Sequence, residues 1–148
     1  KIALFGEADE KTIATFSQNK NIEFFGYLQP AFFESLLSHA YLGFSHYTSV
    51  NLNNHYCAPV KLYDYIHAQL PFVSVDFDFQ KQLFDEIGPN EIGTLFSEND
   101  TQSCLENIEK IDDNYTYYKS NISKLDVAKF SFESQHEHIK KIVEGLLL

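Results

Sequence analysis

Apolar positions in this chain fall into two alternating patterns. Short runs come first: Lys1-Ile-Ala-Leu-Phe-Gly6, Ile22-Glu-Phe-Phe-Gly26, Tyr41-Leu-Gly-Phe44, Pro71-Phe-Val-Ser-Val-Asp76 and Ile92-Gly-Thr-Leu-Phe96. Each has the length of a buried strand and is rich in aromatic or β-branched residues. Between them, apolar residues recur at helical spacing. Asp9 can cap a helix through Gln18 with Ile13 and Phe16 facing inward, and Pro30 starts a helix carrying Phe33, Leu36 and Leu37. Further helical patterns run from Pro59 to Gln69, from Phe79 to Ile87, and from an Asp100 cap through Ile111, with more helix to the C-terminus.

Strands separated by single helices cannot pair as hairpins, so each must reach its neighbour by a crossover that leaves the two strands parallel. The predicted fold is therefore α/β: Rossmann-like, with a doubly wound, mostly parallel sheet and a helical C-terminal tail. One stretch breaks the alternation. Residues Ser45 to Ala58 are polar, Asn-rich and aperiodic. In a parallel sheet, ligands bind outside the carboxyl ends of the strands, so this loop and the helix it feeds are the leading site candidates.

Composition narrows the function. The chain has 148 residues, 44% of them hydrophobic, enough for one ordinary core, and we expect a single domain over 1–148. A formal charge of -10 opposes broad binding to nucleic acid or to an anionic membrane. Every residue in the Lys and Arg count is Lys, so no guanidinium fork is available to clamp a phosphate. An anionic ligand must then rely on Lys and on helix starts. Cys57 and Cys104 have no metal-ligand spacing and read as free thiols. Free thiols point to a reducing, cytoplasmic compartment; no signal peptide is visible, but the start at Lys1 without any Met reads as an excised piece, so that absence says little about the parent protein.

The segment Ala58-Pro-Val-Lys-Leu-Tyr-Asp-Tyr-Ile-His-Ala-Gln-Leu-Pro-Phe-Val73 carries the chemistry. Pro59 at the first helical position leaves the N–H groups of Val60, Lys61 and Leu62 pointing out of the helix start, where the dipole favours an anion. Lys61 adds positive charge, and Asp64 lies one turn deeper on the same face. A nucleoside diphosphate needs such an order, positive potential for its phosphates and an acceptor about one turn away for its ribose diol. The same spacing also describes a plain solvated pair on a helix face.

Pro59, Lys61, Asp64, Tyr65, Pro71 and Val73 resemble the donor-site helix of GT-B glycosyltransferases, in particular bacterial members of the group 1 type. The strand ending Phe-Phe-Gly26, the strand ending Leu-Phe96 and the helical tail follow in the family's order, so the resemblance covers nearly the whole chain. It implies the C-terminal, nucleotide-sugar-binding half of a GT-B architecture, truncated on its N-terminal side. The parent enzyme would transfer a sugar from a nucleoside-diphosphate-sugar to an acceptor held by a missing N-terminal domain. It would use no metal or other cofactor. Membrane association, if any, would be peripheral and belong to the parent, and this chain alone would catalyse no transfer.

By the same resemblance, Asp64 stands at a ribose-binding acid, Tyr27 and Leu28 lie beside the nucleobase, and His55 and Tyr56 occupy the region where related families hold the sugar with an acid. Asp64 is one methylene shorter than the usual Glu, and Gln69 replaces a Gly. A second reading follows from these departures: a non-catalytic α/β interaction or regulatory module on a glycosyltransferase scaffold. Other sites carry less. His136 and His138, two apart on a helix, point to different faces, while His39, His46 and His67 are isolated. Asp76 and Asp78 read as loop and cap residues. After Gly6 the sequence Glu-Ala-Asp-Glu lacks a second Gly, which argues against a dinucleotide-binding oxidoreductase.

Overall fold

The two helix caps expected from Asp9 and Asp100 both form. In the computed structural model, which describes residues 1–88 and 91–146, the Asp9 carboxylate accepts from the Thr12 N–H at 2.8 Å and the Asp100 carboxylate accepts from the Ser103 N–H at 2.8 Å. The Asp9 bonds hold its carboxyl below its ordinary value. Each cap supplies an acceptor to one of the donors that a helix start leaves unpaired.

The chain folds as two compact units, 1–39 and 40–148. In the first, β1 (Ile2–Leu4) pairs in parallel with β2 (Ile22–Phe24), joined by α1 (Glu10–Ser17) and followed by α2 (Pro30–His39). Its aromatic residues gather around Phe5, which stacks on Phe25 at 5.4 Å and meets Phe33 edge-on at 5.6 Å. Leu37 is buried, but no residue of α1 is, so the predicted inward face of Ile13 and Phe16 is only partly covered.

In the second unit, β3 (Gly43–Ser45), β4 (Phe72–Val75) and β5 (Gly93–Phe96) form a parallel sheet in that order. The fold is thus α/β with parallel sheets, compatible with a Rossmann-like arrangement. One difference from the sequence expectation is that the ladders make two sheets, of two and three strands, where a single sheet was predicted. Strand patterns predict which segments extend, but they carry no term for which edges meet.

Strand β4 is central and buried along its length, as a run with apolar residues on both faces requires. Its side chains alternate. Phe72 packs with Leu62 and Ile66 of α4 (Val60–His67), with Leu83 and Phe84 of α5 (Asp78–Ile87), and with Ile122 of α7 (Tyr115–Ile122). Val73 and Val75 point the other way, to Ile111 of α6 (Thr101–Asp113) and Tyr118 of α7. Helices therefore cover both faces of this sheet. A 3-10 turn, Val127–Phe130, leads to α8 (Phe132–Leu146). The side chain of His138 lies outside the described residues, and so do Leu147 and Leu148. No helix among the described residues is long and apolar enough to cross a membrane.

Helix α4 is fastened to the sheet through Tyr65. Its hydroxyl donates to the Phe44 carbonyl at 2.9 Å, and its ring occupies the space where a Cβ on Gly43 would sit, 2.7 Å away. Burial, opposed by that hydrogen bond, pushes the phenol up to about 12. At the other end of α4, Gln69 takes a left-handed conformation with φ 52°, and its carbonyl accepts from Lys119 Nζ at 2.6 Å. Gln69 thus adopts the conformation usually left to Gly at a helix exit, held there by α7.

Candidate functional site

The start of α4 projects from the second unit at the carboxyl end of the β3–β4–β5 sheet. Pro59 is buried and extended, with φ -69° and ψ 119°, so it caps the helix, and Val60 is the first helical residue. This moves the expected position of Pro59 by one residue. The Leu62 N–H donates to the Pro59 carbonyl at 3.0 Å, and the Leu62 side chain is fully buried in the core. Of the three N–H groups expected to face a ligand, those of Val60 and Lys61 have no protein acceptor among the described residues. The Val60 side chain is 72% exposed, so the first turn is open on its outer side.

Lys61 is half-buried, and its Nζ lies 4.3 Å from the centre of the Tyr47 ring. Burial pulls its ammonium below the ordinary lysine value, and the ring face supplies part of the lost solvation. Asp64 follows one turn later, also half-buried, and its charge contributes to raising the neighbouring Tyr65 phenol. Lys61 and Asp64 therefore belong to the partly enclosed side of α4.

The Asn-rich loop is more ordered than its sequence indicates. Asn53–Tyr56 form a short helix, α3, and the Asn53 N–H donates to Asn51 Oδ1 at 2.9 Å. Asn54 Nδ2 donates to the Thr48 carbonyl at 2.8 Å, and the Ser49 N–H donates to Glu98 Oε1 at 2.7 Å, which lowers the Glu98 carboxyl. The repeated Asn residues were the available signal, since their side chains accept from N–H groups two residues on. Within α3, the His55 ring stacks on Phe77 at 4.2 Å, while Tyr56 is 68% exposed. Tyr27 and Leu28 belong to the first unit, directly after Gly26. There Tyr27 is 72% exposed and Leu28 half-buried.

Three polar residues not anticipated from the sequence lie inside the second unit. Ser45 and Ser74 are register partners in β3 and β4, so they share one face, the face that Phe72 presents to α4 and α5. Gln80, one turn before Leu83 and Phe84 on α5, faces the same layer. All three are fully buried, and neither hydroxyl nor either end of the amide has a protein partner among the described residues. Unpaired buried polar groups are costly, so these three stand as exceptions within an otherwise apolar layer that includes Leu62, Ile66 and Phe72. Ser74→Ala removes one such hydroxyl and is expected to raise unfolding stability by about 1 kcal/mol in a urea titration. A fall of that size would mean that the hydroxyl is satisfied in solution.

The remaining candidates have structural surroundings. Asp76 pairs with Lys81 at 3.3 Å, and Asp78 sits in the first turn of α5. Cys57 and Cys104 are free thiols, the latter raised by burial. Among the described residues no three His, Cys, Asp or Glu side chains gather as a metal site. In comparisons with known proteins, no protein-family model and no curated protein matches this chain.

Proposed function

We propose that this chain binds the nucleoside diphosphate of a nucleotide-sugar at the start of α4, as the donor-binding part of a glycosyltransferase. The observation that carries this reading is Lys61: a half-buried ammonium one residue into an open helix start, beside two N–H groups that have no protein acceptor among the described residues. Helix dipole, free donors and a cation together favour a phosphate. Asp64, one turn deeper, would accept from a ribose hydroxyl. In a transfer reaction the same groups would stabilise charge on the departing diphosphate.

A second reading is a non-catalytic interaction module. It is supported by the Lys61 ammonium resting on the Tyr47 ring, a partner it must leave before it can meet a phosphate.

Calorimetric titration of the chain with uridine, guanosine and adenosine diphosphates and with the matching nucleosides separates the two. We expect a diphosphate to bind. Lys61→Ala should weaken it by about tenfold, near 1.4 kcal/mol, with little change for the nucleoside. Asp64→Ala should weaken both. Equal effects of the two substitutions on diphosphate and nucleoside would place the phosphates elsewhere. Absence of binding by every diphosphate would favour the non-catalytic reading.

A further inference from the structure

On the outer side of α4 and α5, within the second unit, a cavity of about 370 Å³ opens between these helices and the 3-10 turn at Val127–Phe130. Its volume falls at the lower end of the range of small-molecule sites, and its lining combines apolar walls with a few polar groups. Tyr63, Phe79 and Phe130 supply aromatic walls, and Leu83 and Ile87 line it further. The Tyr63 and Phe79 rings stand 6.4 Å apart at 51°, so two ring surfaces are offered at an angle to each other.

The polar groups are Gln82, Glu86 and Lys129. Gln82 Nε2 donates to Glu86 Oε1 at 3.0 Å, which orients the carboxylate. Burial and then the Glu86 charge raise the Tyr63 phenol, so carboxylate and phenol share one electrostatic environment. With Lys129 the cavity therefore holds one formal charge of each sign, an amide and a phenol.

That combination selects by charge. A cationic ligand, which aromatic walls and a carboxylate would otherwise suit, meets the Lys129 ammonium. An anion meets Glu86. A small zwitterion would match the two charges but leave the aromatic walls uncovered, whereas a neutral ligand with one apolar face and several hydroxyls satisfies all of them, because its C–H face covers the rings while its hydroxyls donate to the carboxylate and accept from the amide and ammonium. We infer that this cavity is a binding site for a neutral saccharide, held by Tyr63, Phe79 and Phe130 and oriented by Gln82, Glu86 and Lys129. The inference is independent of the nucleotide reading, because it uses neither Lys61 nor the start of α4.

The test is a backbone amide NMR titration of the full chain with maltose, lactose and cellobiose in turn. At least one should bind with a dissociation constant on the order of 1 mM, as befits a small open neutral site. It should shift the amides of Phe79, Gln82, Glu86 and Phe130 while sparing the start of α4. Phe79→Ala should weaken it at least tenfold. Because Phe79 also packs against the core, Glu86→Gln at an exposed position provides a second variant, which should fold normally and weaken binding several-fold. Lys61→Ala should leave saccharide binding unchanged. Three results would overturn the inference: no shift with any of the three sugars on the folded protein, shifts confined to another surface, or choline or acetate displacing the sugars as the preferred occupant.

Discussion

Gly93→Ala is expected to destabilise the protein by about 3 kcal/mol or more, over half of the stability if the protein starts near the lower end of the usual range, about 5 kcal/mol. Gly93 is the register partner of Phe72 across the β4–β5 ladder, and a Cβ there would lie 2.1 Å from the Phe72 carbonyl oxygen and 3.1 Å from its carbon. The obstacle is backbone, not the end of a movable side chain, so relief requires the two strands to separate and the parallel hydrogen bonds to lengthen. Gly43→Ala differs in kind. Its Cβ meets the Tyr65 ring, which can shift at smaller cost. Urea unfolding of both variants should rank Gly93→Ala well below Gly43→Ala. Similar midpoints for Gly93→Ala and the unsubstituted protein would mean that β4 and β5 do not pair in this register.

Phe72→Ala should cost 3–5 kcal/mol, the range for removing a fully buried aromatic residue. The ring is fully buried, meets Phe84 edge-on at 5.5 Å and Tyr65 at 5.8 Å, and so joins α5 and α4 to the central strand. The expected loss combines the transfer of apolar surface back to water with the cavity left among Leu62, Ile66, Leu83 and Ile122. Phe72→Leu, which retains most of the volume, should cost less than half as much. Should Phe72→Ala unfold at the same denaturant concentration as the parent chain, the ring would not be the contact between the layers. Any ligand affinity at the start of α4 should fall together with stability in this variant, because the same core holds that helix.

The candidate site was legible in proportion to how local its determinants are. Pro59, Lys61 and Asp64 lie within one short segment, so their order along α4 follows from helix geometry alone. What happens to each group is not local. The Lys61 ammonium is drawn over Tyr47, fourteen positions away. The charge of Lys61 is thus partly desolvated before any ligand arrives, a property that no spacing rule contains.

Several groups could be recognised only from pairs of elements. Ser45 and Ser74 are unremarkable as single residues in apolar runs, and they become a shared buried polar surface only when β3 and β4 pair in register. The saccharide cavity requires Tyr63, Phe79 and Phe130, which lie on three elements. One of the three bonds that order the Asn-rich loop comes from Glu98, beyond β5.

By itself, the sequence determined the strand and helix alternation, the Asp9 and Asp100 caps, and the buried central strand from Phe72 to Val75, because each depends on side-chain periodicity or on partners within three or four residues. Only the tertiary structure decided that the strands form two hydrogen-bonded sheets, that Tyr65 fixes α4 across Gly43, and that Lys61 lies against Tyr47. Those outcomes depend on which surfaces meet and what water they exclude, and both burial free energy and electrostatic strength are properties of the assembled packing.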